Sequence, residues 1–425
     1  MDRLPGFRDF YPEPLPHSDV WSADARQFIF DQWRGVAHRY NFREYDGPPL
    51  EPLELYTAKS GDEIVGQLYN FTDKGERMVA LRPEMTPTLA RMVAAHERNY
   101  KKPIKWFAIP QLFRYERQQK GRLREHFQFN ADIFGESDLA ADAELIALLI
   151  DTLRSFGLTD KDFVIRLSSR NAWQEFYEQR AAKTAAEKPG HAYEFFQIID
   201  KLERTSPEEN QRKLADLGFS FDEINGFITA GKPTAELAAI LDNLMARGLG
   251  DFVRVDYHVI RGLAYYTGPV FEAFDVKGEF RAIAGGGRYD NLVKLLSGGK
   301  VNLAALGFGL GDVVLLELLK ARGLLPKFDA ALDVFVLIED EALRPQSLKL
   351  VQELRAAGCS VEYPLTPAKP DKQFKRAQEL KATCMAKVEN SASGAPVIKI
   401  KNLQTREEKA VDFGEVAKHL ADFKK

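Results

Sequence analysis

Apolar residues along this chain recur with two periods, and the switches between them mark out its elements. From His17 to Tyr40, Trp21, Ala25, Phe28, Ile29, Trp33, Val36, Ala37 and Tyr40 fall roughly on one stripe, which predicts an amphipathic helix packed on a sheet. The period drops to two in Gln111–Gly135, QLFRYERQQKGRLREHFQFNADIFG, which divides into two strand-like arms around a short basic loop, Gln118 to Arg122, with Gly121 for the turn. In the second arm Phe127, Phe129, Ala131 and Ile133 take one face, and His126, Gln128, Asn130 and Asp132 take the other. Pairing the arms brings Arg114 and Glu116 towards that polar row, a face able to hold a polar ligand.

Elsewhere the same reading predicts the following order. In YDGPPLEPLELY, Pro48, Pro49 and Pro52 exclude a regular central strand. Met78–Met92 is a short strand, a turn at Pro83 and a helix opened by Thr86 and Pro87, with Glu84 and Thr86 at a junction that can face a ligand; simple N-capping is the other role open to Thr86. Ser137–Phe156 is a helix capped by Ser137 and Asp138 and ended by Gly157. Residues from about 171 to 234 form a polar helical insertion. Phe252–Val276 is two β-rich runs broken by RGLAYYTG, and Arg281–Leu296 is a strand, a triple glycine that suggests close approach of backbone to a ligand, and a helix. AALGFGLGDVVLLELLKARG is a strand entering a helix that runs from Asp312 to Gly323. A linker around Pro326 leads to alternating strands and helices, among them a helix from Phe374 to Leu380 and a final helix, an α/β module with a mixed sheet; there Lys369, Lys372, Lys375 and Arg376 form either a phosphate-contacting stripe or ordinary solubilising charge.

Composition narrows the class. The 425 residues, 45% hydrophobic and 28% charged, suit a soluble globular protein of about three domains. Two cysteines are too few for a disulfide scaffold or a Cys-rich zinc site, no membrane span or secretory signal is expected, and a reducing, cytoplasmic compartment fits. With a formal net charge of -3, any nucleic-acid contact must come from local basic patches. Arg114, Arg117, Lys120, Arg122 and Arg124 make one such patch, and planar guanidinium forks suit phosphate.

The run FRYER, the QQKGR loop, then LRE and an aromatic followed by Gln resembles motif 2 of class II aminoacyl-tRNA synthetases in the form found in histidyl-tRNA synthetases; RGLAYYTG resembles that family's RGLDYYT signature, with Ala264 in place of Asp. The resemblance implies an α+β fold: a class II antiparallel sheet with flanking helices over 1–325, with the insertion at about 171–234, and a C-terminal α/β anticodon-binding domain over 331–425. It places the Pro-rich segment at a dimer interface. It implies ATP-dependent activation of L-histidine to histidyl-adenylate and transfer to tRNA(His), with ATP and Mg2+, by a homodimer with no membrane association.

Residue by residue, the resemblance makes Arg114 and Arg261 the catalytic cations and assigns ATP to Arg114, Glu116, Arg122 and His126. Histidine falls to Glu84, Thr86, Gln128, Asp132, Tyr266 and Tyr289, and the tRNA acceptor end to Gln119 and Arg124; no metal ligand is assigned. Three departures stand out. Asp132 replaces a more usual Glu, His126–Phe127 inverts the familiar Phe-His order, and Val313 and Val314 stand where a Glu and a phosphate-holding Arg would fall. A silent paralogue, such as the regulatory subunit of ATP phosphoribosyltransferase, and a tRNA-sensing scaffold are the alternative readings.

Overall fold

The computed structural model describes residues 2–60, 62–115, 123–181, 191–260, 266–328, 332–391, 395–411 and 416, and the chain divides into two compact units, Met1–Pro326 and Lys327–Lys425. The first is built on the strand Glu125–Phe134, flanked antiparallel by Ala305–Gly311 and by Ile104–Ala108. Beyond Ala305–Gly311 the sheet continues antiparallel through Ala284–Arg288, Pro269–Asp275 and Phe163–Ser169. Each edge ends in a parallel pair, Phe163–Ser169 with Val253–Val255 and Ile104–Ala108 with Arg43–Glu44. Gln111–Phe113 folds back on the start of the long strand, giving nine strands among the described residues. The architecture is the α+β arrangement that the resemblance implies.

Alternation along Glu125–Phe134 sorts the two faces of this sheet. On one, Phe129 stacks on Trp33 at 5.8 Å and meets Phe107 and Phe308, while Phe127 meets Phe30 at 5.1 Å. Helices Ala23–Arg39, Ala140–Arg154 and Asp312–Arg322 cover this side. Each large apolar side chain so buried contributes about 1.5–3 kcal/mol, and this face supplies the core. The other face carries the polar row.

Several boundaries differ from the sequence reading for local reasons. The first helix begins at Ala23 because Ser22 accepts the Ala25 amide, while Trp21 is drawn into a short parallel pairing with Phe10. The helix expected from Ser137 begins at Ala140, whose amide Asp138 caps. The first hairpin arm is only Gln111–Phe113, and the loop Gln118 to Arg122 lies outside the described residues. Pro52 does lie in a strand, Leu50–Pro52, but at the edge of a three-stranded sheet with Asn70–Thr72 and Met78–Leu81, where a missing amide costs no ladder bond.

In the stretch read as a helical insertion, helices Arg170–Ala181, His191–Asp200, Pro207–Asp216 and Phe221–Ala230 surround an aromatic centre, with Trp173 against Phe176, Phe195 and Phe227. The second unit has a five-stranded mixed sheet, with parallel pairing around Val334–Leu337 and an antiparallel hairpin of Pro396–Asn402 with Glu408–Val411. Its helix Pro370–Glu379 begins a turn earlier than expected from Phe374. Pro370 suits that start, since its missing amide would be unsatisfied in the first turn in any case, and the buried amide group of Gln373 pairs with both backbone groups of Ile338 at 2.9 and 2.7 Å. The expected final helix lies outside the described residues except for Val416.

Candidate active site

Register places the whole polar row on one face. Asp132, Asn130 and Gln128 lie opposite Gly307, Gly309 and Gly311, and Gly309 in turn lies opposite Gly285, which faces Glu272. The glycines make room for side chains of the neighbouring strand. A β-carbon on Gly307 would occupy the place of Asp132 Oδ1, and one on Gly309 would come within 2.6 Å of the Gln128 amide carbon. Gly286 and Gly287 likewise approach protein: the first meets the backbone at Gly307 and Phe308, and the second the Tyr266 ring at 3.0 Å. The expected close approach of this backbone to a ligand is thereby narrowed to one glycine: all three lie inside the strand Ala284–Arg288, and of them only Gly285 lines the cavity.

An open cavity of about 270 Å³ sits over this floor. Arg114, His126 and Gln128 form one wall and Glu272 and Arg281 to Gly285 another, with Val313 and Val314 at the start of the Asp312–Arg322 helix. Arg114 is half-buried, and its Nε donates to the Pro83 carbonyl at 3.2 Å, next to half-buried Glu84. The alternation correctly puts His126 on the cavity side and Phe127 on the core side. Thr86 is the first residue of helix Thr86–His96; the N-cap position belongs to Met85, so Thr86 is not the cap.

Beyond Gln128 the row ends at Asp132, which is 2% exposed. Tyr289, equally buried, donates its hydroxyl hydrogen bond to Asp132 Oδ1, whereas Oδ2 has no hydrogen-bond partner among the described residues. Burial pushes the Asp132 carboxyl up to about 7, with the Tyr289 hydroxyl partly offsetting it. Tyr266 packs against the same cluster as Tyr289.

Sequence reading missed two parts of this region. Arg8 is buried between two carboxylates, with Nε 2.6 Å from Glu125 Oε1 and Nη1 2.7 Å from Asp312 Oδ2. Asp312 Oδ1 also accepts the Phe127 amide at 3.0 Å, and Glu125 accepts from Gln111. Burial works against the charge on Arg8, but Asp312 and Glu125 together raise its pKa above the ordinary arginine value. The other part is Tyr45, packed beside Trp106 with its hydroxyl buried. Neither lies in a periodic segment, and an acidic residue opening a helix, as Asp312 does, reads as ordinary dipole complementation.

Of the other expected residues, Glu116, Gln119, Arg122 and Arg261 lie outside the described residues. Arg124 is not among the residues that line the cavity, although its neighbour Leu123 is; its guanidinium stacks on Tyr115 at 4.6 Å and its amide donates to the Gly6 carbonyl. In the second unit Lys369, Lys372, Lys375 and Arg376 are exposed on or beside one helix, with Arg376 3.5 Å from Glu379.

Comparison with known proteins gives concordant matches. Residues 19–312 match the family model of histidyl-tRNA synthetase, and residues 333–422 match that of the anticodon binding domain. The chain is 47% identical to the histidine–tRNA ligase of Opitutus terrae, over 99% of this chain and 98% of that one, and 39% identical to that of Leptospira biflexa, over 88% and 86%. Its fold superimposes on the crystal structure of histidyl-tRNA synthetase from Nostoc sp. with a TM-score of 0.74, at 23% identity and covering 97% of each chain.

Proposed function

The chain belongs to the histidyl-tRNA synthetase family, and from that premise we propose how its own residues carry the reaction. The activity is that of a histidine–tRNA ligase: ATP activates the histidine carboxylate as histidyl-adenylate with release of pyrophosphate, and the histidyl group passes to tRNA. A carboxylate attacking an α-phosphate brings two anions together, so fixed cations must offset their repulsion as charge develops. Arg114 on the cavity wall takes that role with Arg261. His126 and Glu116 hold the adenine and Arg122 the phosphate tail. Gln119 and Arg124 meet the acceptor end of tRNA(His), and the second unit reads the anticodon.

The observation that best supports the histidine reading is the buried Oδ2 of Asp132, without a hydrogen-bond partner among the described residues, on a carboxylate whose Oδ1 is held by Tyr289 at the end of the polar row. Imidazole presents one N–H and one acceptor nitrogen, and a buried acceptor left unpaired by any apolar side chain discriminates against it. Glu84 and Thr86 hold the amino group, and Gln128, Tyr266 and Tyr289 complete the pocket. Magnesium would enter with ATP and neutralise its phosphates. Glu272 is the carboxylate on the cavity wall, and no group of three metal-ligating side chains occurs among the described residues, so the phosphates themselves would supply much of its shell.

The enzyme acts in the cytoplasm as a homodimer. The reading of a dimer is supported by Leu50 and Phe71, exposed side chains that share one face of the small sheet in the Pro-rich region. Histidine-dependent exchange of pyrophosphate into ATP tests the catalytic reading directly. Exchange at saturating ATP and magnesium is the expected result; its absence would favour a silent paralogue.

A further inference from the structure

Tyr45 follows the short strand Arg43–Glu44, which pairs in parallel with Ile104–Ala108 so that Arg43 lies beside Trp106. The Tyr45 amide continues this ladder by donating to the Phe107 carbonyl at 2.9 Å. Two residues beyond Arg43, Tyr45 therefore points to the same face as Trp106, and Trp106 lies directly opposite Asp132 on the next strand. Its ring packs against Trp106 with centroids 5.8 Å apart and joins the cluster that holds Tyr266 and Tyr289.

In that place the hydroxyl of Tyr45 is buried with no hydrogen-bond partner among the described residues, and Asp132 Oδ2 on the same face is in the same condition. Buried polar groups are rarely left unpaired, since each forfeits its bonds to water, so two on one face call for a common explanation. Burial, and then the charge of Asp132, hold the Tyr45 hydroxyl well above its ordinary pKa, so it keeps its proton and can donate. One atom accepts and the other donates, which is the complement of a neutral imidazole ring.

Resting on the assignment of histidine to this pocket, we propose that Tyr45 is a specificity-determining residue whose hydroxyl donates to the unprotonated imidazole nitrogen while Asp132 Oδ2 accepts from the protonated one. Among the described residues this hydroxyl makes no hydrogen bond in the free protein, and in the complex it makes one. Tyr45→Phe keeps the ring and removes only the oxygen.

The test compares Tyr45→Phe with the wild-type enzyme in histidine-dependent pyrophosphate exchange and in thermal unfolding without ligand. Wild-type exchange by itself establishes the histidine reading, so its failure is separate from that of the Tyr45 proposal. Expected for the variant are an unchanged or higher melting temperature, an unchanged KM for ATP and a KM for histidine raised by about tenfold or more. Its preference for histidine over thienylalanine, a ring of similar size without the two nitrogens, should narrow by a similar factor. A histidine KM within about twofold of wild type would overturn the proposal. So would a drop in melting temperature with equal losses for histidine and ATP, because that pattern belongs to a purely structural tyrosine.

Discussion

Arg8 Nη1 lies 2.7 Å from Asp312 Oδ2, across 304 residues of sequence. With Glu125 as the second carboxylate, this one guanidinium joins the N-terminal segment, the start of the Glu125–Phe134 strand and the start of the Asp312–Arg322 helix. The next residues along, His126 and Val313, both line the cavity, so the ion triad fixes two of its walls relative to one another. Removing the cation leaves two buried carboxylates facing each other. Arg8→Met should therefore destabilise the chain by ~3–5 kcal/mol, read as a lower urea midpoint. The triple variant Arg8→Met/Glu125→Gln/Asp312→Asn should recover much of that loss, because it has no uncompensated charge. Equal instability of the single and triple variants would show that shape, and not charge, is what the site requires.

Gly307 gives a second prediction. Asp132 Oδ1 occupies the space that a β-carbon there would need, and the Tyr289 hydroxyl holds it in place. Gly307→Ala should force Asp132 out of register at a cost of ~1–3 kcal/mol in stability. The functional effect should fall on histidine, whose KM rises at least about tenfold while the KM for ATP stays near wild type. Steady-state exchange kinetics with each substrate varied in turn would read this directly. An effect on ATP alone would contradict it.

Much of this site was legible because its residues lie on strands with clean alternation. The period-two reading of His126 to Ile133 assigns each residue to its correct face, and Asp312 and Gly323 bound their helix as the sequence suggests. The glycines of Ala284–Arg288 were legible only as backbone freedom. Whether such freedom admits a ligand or a neighbouring side chain depends on strand order, which a local pattern does not contain. Arg8 was hidden for a related reason: its two partners are 117 and 304 residues away, and no local period reports a contact of that range. Tyr45 sits at a strand end only two residues long, too short to show any alternation.

Asp132 sets a pH dependence. Its folded carboxyl holds a proton to about pH 7, against an ordinary value of 3.8, because burial disfavours the charge. Between those values the folded state binds more protons than the unfolded state, so stability falls as pH rises from about 4 to about 7 and then levels off. Asp132→Asn should remove this slope, as measured by denaturant midpoints at several pH values. Histidine recognition should run the other way, because only the ionised Oδ2 is a full acceptor for the imidazole N–H. The wild-type KM for histidine should fall as pH rises through about 7, whereas Asp132→Asn should keep only the change due to the substrate's own titration. Parallel profiles for the two proteins would remove Asp132 from this role.

The last prediction concerns the triphosphate tail. Val313 and Val314 bring apolar side chains to the cavity at the point where the family resemblance leads one to expect a cation. The arginines of the described lining are Arg114 and Arg281, and Arg114 is committed to the α-phosphate in the proposed mechanism. In the proposed mechanism the terminal phosphates are held by Arg122 from the motif 2 loop together with magnesium. A charge-assisted hydrogen bond contributes ~1.5–3 kcal/mol, so Arg122→Ala should raise the KM for ATP roughly 10- to 100-fold and leave the KM for histidine nearly unchanged. Val314 is half-buried at the cavity edge, which gives a second arm to the experiment. In the Arg122→Ala background, Val314→Arg returns a guanidinium to the first turn of the helix and should lower the KM for ATP again. If Arg122→Ala binds ATP as wild type does, the tail is held by other groups and this account of the substituted helix start is wrong.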